Sequence, residues 1–214
     1  MALNKLKFNS LNVTPAASEA IRFNSSANGL ETASAGGSLV KIAATTASSS
    51  ASVSFTSGID STYKEYIFYF VNIHPATDNV YFSFQGNKAG GSGYNETITS
   101  STFQAYHEEN GGSAVLGYRT DLDQAQGTSF QQITQNVGNA NDESISGYLH
   151  LFNPSSTTFT KNFIARSNTY QSGDYSIDVF SSGYFNTVSA IDEIQFKMVS
   201  GNIDSGQILL FGLN

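Results

Sequence analysis

The sequence contains no cysteine, no tryptophan and only three prolines in 214 residues. The absence of cysteine excludes disulfide bonds, thiolate nucleophiles, and zinc or iron–sulfur sites with cysteine ligands. It leaves the compartment open, because a chain without thiols can work inside or outside a cell. Tryptophan commonly lines the sugar cleft of glycosidases, so its absence disfavours hydrolysis by a pair of carboxylates.

Charged residues are also scarce, at 13% of the chain against about 25% in an ordinary domain. The net charge is −7 and only ten residues are basic, which argues against a nucleic-acid partner. Polar uncharged residues, 19 glycines, 11 tyrosines and 16 phenylalanines take their place. This composition excludes a coiled coil, disfavours helices and still supplies a core. Nothing in it indicates an enzyme.

Long apolar runs are absent. The longest, residues 66–71, is far too short to cross a membrane, so we expect no membrane insertion. The first residues lack the apolar stretch of a secretory signal. We therefore expect a protein that stays where it is made or leaves as part of a larger particle.

From residue 38 onward, short segments of alternating apolar and polar residues are separated by turn residues. A period of two is typical of strands with one buried face. The predicted strands are 51–55, 63–73, 79–85, 102–108, 114–118, 129–134, 144–152, 158–166, 175–185, 191–198 and 206–213. Their regular spacing, with longer connections around 86–101 and 119–128, predicts an antiparallel β-sandwich of jelly-roll or Greek-key type. The continuous apolar residues 208–211 indicate that the last strand lies inside a sheet.

Residues 1–36 differ from the rest, because isolated apolar residues stand in a polar background. Within this segment, residues 6–10 (LKFNS) recur as residues 21–25 (IRFNS). Alternation places Leu6 with Phe8, and Ile21 with Phe23, on one face of an extended strand. Such short units need a partner surface. We expect either an ordinary first strand or an extended docking arm over 1–36, followed by a sandwich body over 37–214.

The three histidines form no catalytic or metal-binding pattern. His74 precedes a proline and is interpreted as a turn residue. His107, next to two glutamates, is interpreted as a solvated strand end. His150 alternates with buried leucines and is interpreted as a surface or interface residue.

Carboxylates cluster weakly, at Asp121 with Asp123 and at residues 141–143. Either loop could offer oxygen ligands to calcium, but both lack the order of an EF-hand. We expect no catalytic residue, no metal and no cofactor.

Tyrosine is the abundant residue that combines an apolar ring with a polar end. Tyr94, Tyr106 and Tyr118 fall in predicted loops or near strand ends, where tyrosine makes contacts with sugars or proteins. The alternative interpretation is that they cap the core or line subunit seams.

Several sequence blocks resemble virion structural proteins of marine tailed bacteriophages, such as cyanophages and pelagiphages. The blocks are 54–66 (SFTSGIDSTYKEY), 72–78 (NIHPATD), 95–101 (NETITSS), 151–158 (LFNPSSTT), 192–196 (DEIQF) and 200–206 (SGNIDSG). The resemblance covers about residues 40–214. It implies a tail-fibre-like or decoration-type protein, and the family offers no catalytic residues to carry over.

The leading hypothesis is a non-enzymatic protein on the virion surface, assembled as a homotrimer in the host cytoplasm and released by lysis. Its arm, through Leu6, Phe8, Ile21 and Phe23, would dock on tail, portal-proximal or capsid proteins. Its body would contact a host glycan or protein. The alternatives are a capsid decoration (cement) protein and a carbohydrate-binding module.

Overall fold

The computed structural model describes residues 19–34 and 38–213, and every regular element among them is a β-strand. The chain forms two compact units, Met1–Val40 and Lys41–Asn214. The strands are β1 (Glu19–Phe23), β2 (Leu30–Ser34), β3 (Leu39–Ser50), β4 (Val53–Phe55), β5 (Glu65–Pro75), β6 (Phe82–Lys88), β7 (Ile98–Glu108), β8 (Ala114–Tyr118), β9 (Ala125–Gly127), β10 (Gln131–Gln132), β11 (Ile145–Phe152), β12 (Lys161–Gln171), β13 (Tyr175–Phe185), β14 (Ile191–Met198) and β15 (Ile203–Leu213).

The first unit contains an antiparallel hairpin of β1 and β2. Its turn closes where the Asn24 N–H donates to the Gly29 carbonyl at 2.9 Å, and Ala27 takes a positive φ of 54°. Arg22 and Glu31 face each other across the strands and form an ion pair of 3.0 Å. The second copy of the repeated motif, residues 21–25, therefore forms the end of β1 and the first turn residues of this hairpin.

The second unit is built on two antiparallel sheets. The larger has nine strands in the order β3-β15-β5-β11-β12-β13-β7-β8, with β9 also pairing to β7, and the smaller has the order β10-β6-β14-β4. β11, β12 and β13 form a meander. β7 precedes them in the chain, is separated from β11 by a long connection and pairs with β13. This is Greek-key order. The jelly-roll alternative stays a prediction, as does the arm.

Phenylalanine rings fill the space between the two sheets. Phe70 of the large sheet packs edge to face with Phe82 and Phe196 of the small sheet, at 5.4 and 5.6 Å between ring centroids. Phe84 meets Phe163 in the same way at 5.1 Å. All five are at most 1% exposed, so the inner faces form one aromatic core and the β-sandwich prediction is confirmed.

The inner face of the large sheet becomes polar beyond this core. Thr102 and Ser181 pair across β7 and β13 at 2.9 Å, and the Ser167 hydroxyl donates to the Ile133 carbonyl. Loop residues supply other partners, as where Gln131 donates to the Leu122 carbonyl at 2.8 Å. Burying these groups is tolerated because each has a hydrogen-bond partner.

Several predicted strands have the bounds that the alternation indicated, namely β8, β13 and β14. β15 lies between β3 and β5, as expected for a strand inside a sheet. β12 begins later than predicted, because the Ser156 hydroxyl accepts the N–H groups of Thr158 and Phe159 and holds a turn there. β3 was not predicted, since its small and polar residues carry little apolar pattern.

Candidate contact surface

Two of the four candidate docking residues, Ile21 and Phe23, lie in the hairpin of β1 and β2. Ile21 and Phe23 share one face of β1, as predicted, with Thr32 and Leu30 opposite them on β2. Ile21 is 38% exposed and Phe23 is 73% exposed. Leu6 and Phe8 lie outside the described residues. Docking through these four side chains therefore stays a prediction.

The structure does not bring the three candidate tyrosines together. Tyr94 lies in the loop before β7, and its hydroxyl donates to Glu193 Oε2 at 2.8 Å. Burial, together with that carboxylate, raises the pKa of Tyr94. Tyr106 lies on the inner side of β7, where it packs edge to face on Tyr175. Tyr118 points outward from β8.

Tyr118 belongs instead to a row of large side chains that crosses the outer face of the nine-stranded sheet. The strand register aligns one outward residue from each of seven neighbouring strands. From β8 to β15 they are Tyr118, Phe103, Phe180, Arg166, Tyr148, Tyr69 and Leu209. Five of the seven are aromatic, and sequence reasoning singled out only the first of them.

The middle of this outer row is held by direct contacts between its members. The rings of Phe103 and Phe180 stack at 4.8 Å with an interplanar angle of 5°. The Arg166 guanidinium lies 4.6 Å from the centre of the Phe180 ring. It also donates to both carboxylate oxygens of Asp178, at 3.0 and 2.6 Å, which raises the pKa of Arg166. These contacts link Phe103, Phe180 and Arg166 to one another within a single chain.

Further apolar side chains widen the outer row into a patch. Leu116 is 73% exposed and Ile164 is 45% exposed, each one position away from the row along its strand face. Phe211 packs edge to face on Tyr69 at 5.7 Å. Between Lys41 and Leu213, every strand belongs to one of the two sheets, so none lies on this outer face. Together these exposed and half-buried side chains form an apolar patch, and such patches often mark interaction surfaces.

Charge is sparse on the same face. Within the described strands from β8 to β15 of the large sheet, the outward acidic and basic residues are Arg166, Asp178, Glu65 and Asp204. Arg166 pairs with Asp178, whereas Glu65 and Asp204 lie at the starts of β5 and β15. The middle of the face is thus close to neutral on a chain of net charge −7.

One sequence signal could have located this surface. Residues 66–71 on β5 and 208–211 on β15 are apolar on both faces of their strands. One face of each packs in the core, and the other contributes to the outer row. Sequence analysis interprets apolar residues on both faces of a strand only as the sign of a strand inside a sheet.

The histidines occupy three different environments. His74 lies within β5 and not at a turn, and its Nε2 is 3.0 Å from the Ala140 carbonyl. His107 is exposed near the end of β7. His150, on the outer face, bonds to Glu65 and packs on the Phe152 ring at 4.1 Å.

Three carboxylates of the candidate calcium loops have protein partners. Arg119 donates to both oxygens of Asp121, and this lowers the pKa of that carboxyl group. Asp123 accepts the Tyr118 hydroxyl at 2.6 Å, and Glu143 accepts the Ala140 N–H. Among residues 19–34 and 38–213, no three acidic or histidine side chains are grouped as a metal site.

A small pocket of about 170 Å³ opens on the inner face of the large sheet, near the end of β7 and the start of β13. Its lining includes Tyr106, Tyr175, Gln135 and Gln171. The two rings lie 5.6 Å apart at 81°. Two aromatic walls and two amides could hold one small polar ligand.

Comparison with known proteins gives no relative. No family model matches the chain, no curated protein matches it, and no solved structure matches its fold. No helix capable of spanning a membrane occurs in the part of the chain that the structure describes.

Proposed function

We propose that this chain is a non-enzymatic structural protein on the outer surface of a tailed-phage virion. It is a tail-fibre-type or other appendage that docks through residues 1–36 and displays the β-sandwich for host contact. The observation that carries the proposal is the ordered aromatic row on the outer face of the large sheet. Such a face suits a subunit of a larger protein assembly.

The make-up of the outer face supports contact with protein. Tyrosine, phenylalanine and arginine are enriched at the centres of protein interfaces, and other charged residues are depleted there. The row has this composition, with Arg166 fixed between Asp178 and Phe180. A nucleic-acid partner is not part of the proposal, because a neutral face on an acidic chain offers little to phosphate.

The sequence blocks that resemble phage virion proteins serve the fold. In the block 54–66, Asp60 Oδ1 accepts the Thr62 N–H at 2.8 Å, and the Tyr66 hydroxyl bonds to the Asp60 backbone. In the block 151–158, Ser156 holds the turn before β12. These residues shape turns between strands.

Copy number tests the proposal. Quantitative mass spectrometry of purified particles should find a few trimers of the chain per particle, measured against the major capsid protein. A count close to that of the capsid protein would support the decoration alternative and contradict the appendage. Absence of the chain from clean particles would refute the proposal.

The pocket at Tyr106 and Tyr175 favours one second candidate, a carbohydrate-binding module. In that case a glycan array should show binding that is lost in Tyr175→Ala and retained in Tyr118→Ala, which alters a tyrosine outside the pocket. Absence of binding to any host polysaccharide would remove this candidate.

A further inference from the structure

We infer that the outer face of the nine-stranded sheet is covered, in the assembled protein, by a second copy of this chain. The inference rests on the proposed function for its setting, and it names the partner of the surface described above. Three features of the face support a second copy as its partner, namely its size, its charge and the contacts among its side chains.

The face is large enough for a stable interface. Neighbouring strands lie about 4.8 Å apart, so the six strands from Phe103 to Leu209 span roughly 24 Å. The outward residues of β13, from Ser176 to Tyr184, extend roughly 27 Å at about 3.4 Å per residue. With the shorter edge strand β8 added, the face measures at most roughly 730 Å², which approaches the ~800 Å² that each partner contributes to a standard stable interface.

The charge of the face suits self-association. Two copies that each carry a net charge of −7 repel one another wherever their acidic surfaces meet. The middle of the outer face avoids that repulsion, because Arg166 is paired with Asp178 on the same chain, and the other two carboxylates, Glu65 and Asp204, lie at the starts of their strands. A partner of strong positive or negative charge would gain little at this middle region, whereas a neutral region of a second copy loses nothing.

Three side chains of the row already contact one another within one chain, which lowers the entropy cost of association. Arg166 makes three hydrogen bonds to Asp178 and packs on one aromatic ring. Because Phe103 and Phe180 stack face to face, they cover each other and present ring edges outward. Ring edges pack well against apolar side chains of another protein, whereas a flat sugar needs an open ring face.

The first test is the mass of the full chain in solution by light scattering after size exclusion. The expected mass is a multiple of 22.9 kDa. Ile164→Lys, at the centre of the face, should raise the dissociation constant at least tenfold, since an interface hot spot is worth about 2 kcal/mol. The matched control is Val188→Lys, which alters an aliphatic residue of similar exposure in the loop after β13 and should leave the mass unchanged. A monomeric parent chain, or equal effects of the two substitutions, would overturn the inference.

The second test identifies what covers the face. Since the chain has no cysteine, Ile164→Cys and Val188→Cys each carry a single thiol. In the assembled protein under reducing conditions, maleimide should label Ile164→Cys at least tenfold more slowly than Val188→Cys. Equal rates in a multimer would mean that assembly uses another surface. Slow labelling in a monomer would mean that the chain covers its own face. Either result would overturn the inference.

The two proposals fail separately. If the chain is absent from particles but multimeric with Ile164→Cys protected, the proposed function falls and the inference stands. If the chain is present in particles but monomeric in solution, the inference falls and the proposed function stands.

Discussion

Replacing Phe196 by alanine should cost the sandwich a large part of its stability. Phe196 is fully buried on β14. It packs against five other rings, with centroid distances between 5.3 and 6.3 Å, namely Phe55, Phe68, Phe70, Phe82 and Phe84. A buried Phe→Ala change costs about 3–5 kcal/mol from lost burial and the remaining cavity. Five aromatic partners place Phe196 at the upper end, so we expect about 4–5 kcal/mol out of a typical total of about 5–15 kcal/mol.

The matched control for Phe196 is Phe103→Ala on the opposite face of the large sheet. Phe103 is 43% exposed, so its loss should cost about 1 kcal/mol. Urea unfolding at one low protein concentration measures both, because self-association would make stability depend on concentration. The midpoint should fall far for Phe196→Ala and little for Phe103→Ala, with unchanged slopes. Similar losses for the two variants would refute the division into an inner core and an outer contact face.

Two further predictions concern single groups. The buried Tyr66 hydroxyl bonds to the backbone of Asp60, so Tyr66→Phe should cost about 1–3 kcal/mol at pH 7 by urea unfolding. Burial raises the pKa of Tyr66, so stability is present below its unfolded pKa of about 10 and is lost as pH rises further. The difference between parent and variant should therefore shrink above pH 10, and a constant difference would contradict this. Gly147→Ala should destabilise by at least about 2 kcal/mol, because its Cβ would overlap the Arg166 carbonyl and lie 2.7 Å from Ser167 Cα. An unchanged melting temperature would show that β11 and β12 separate easily.

Local pattern predicted much of the fold, as three elements show. β13 and β14 alternate strongly between apolar and polar residues, so their bounds followed from period two alone. β3 did not, because its run of alanine, threonine and serine (AATTASSS) carries no such contrast. Its strand conformation comes from pairing with β15, which is a tertiary effect.

The contact surface could be predicted only in part. Tyr118 was singled out as a surface aromatic, yet its neighbours Phe103 and Phe180 come from strands far apart in the sequence. Their alignment depends on the register of seven strands, and a shift of one residue in any pair would turn a side chain to the core. Sequence shows which residues alternate, but it does not show which strands are neighbours.

We infer that copies of this chain meet through the outer face of the large sheet, and we propose that the assembled copies dock on the virion through residues 1–36. The most direct measurement is incorporation of the full-length Ile164→Lys chain into particles, quantified by mass spectrometry beside Val188→Lys. We predict that incorporation of Ile164→Lys falls at least tenfold while that of Val188→Lys stays at the parent level. Equal incorporation of the two variants, with both chains folded, would contradict the claim.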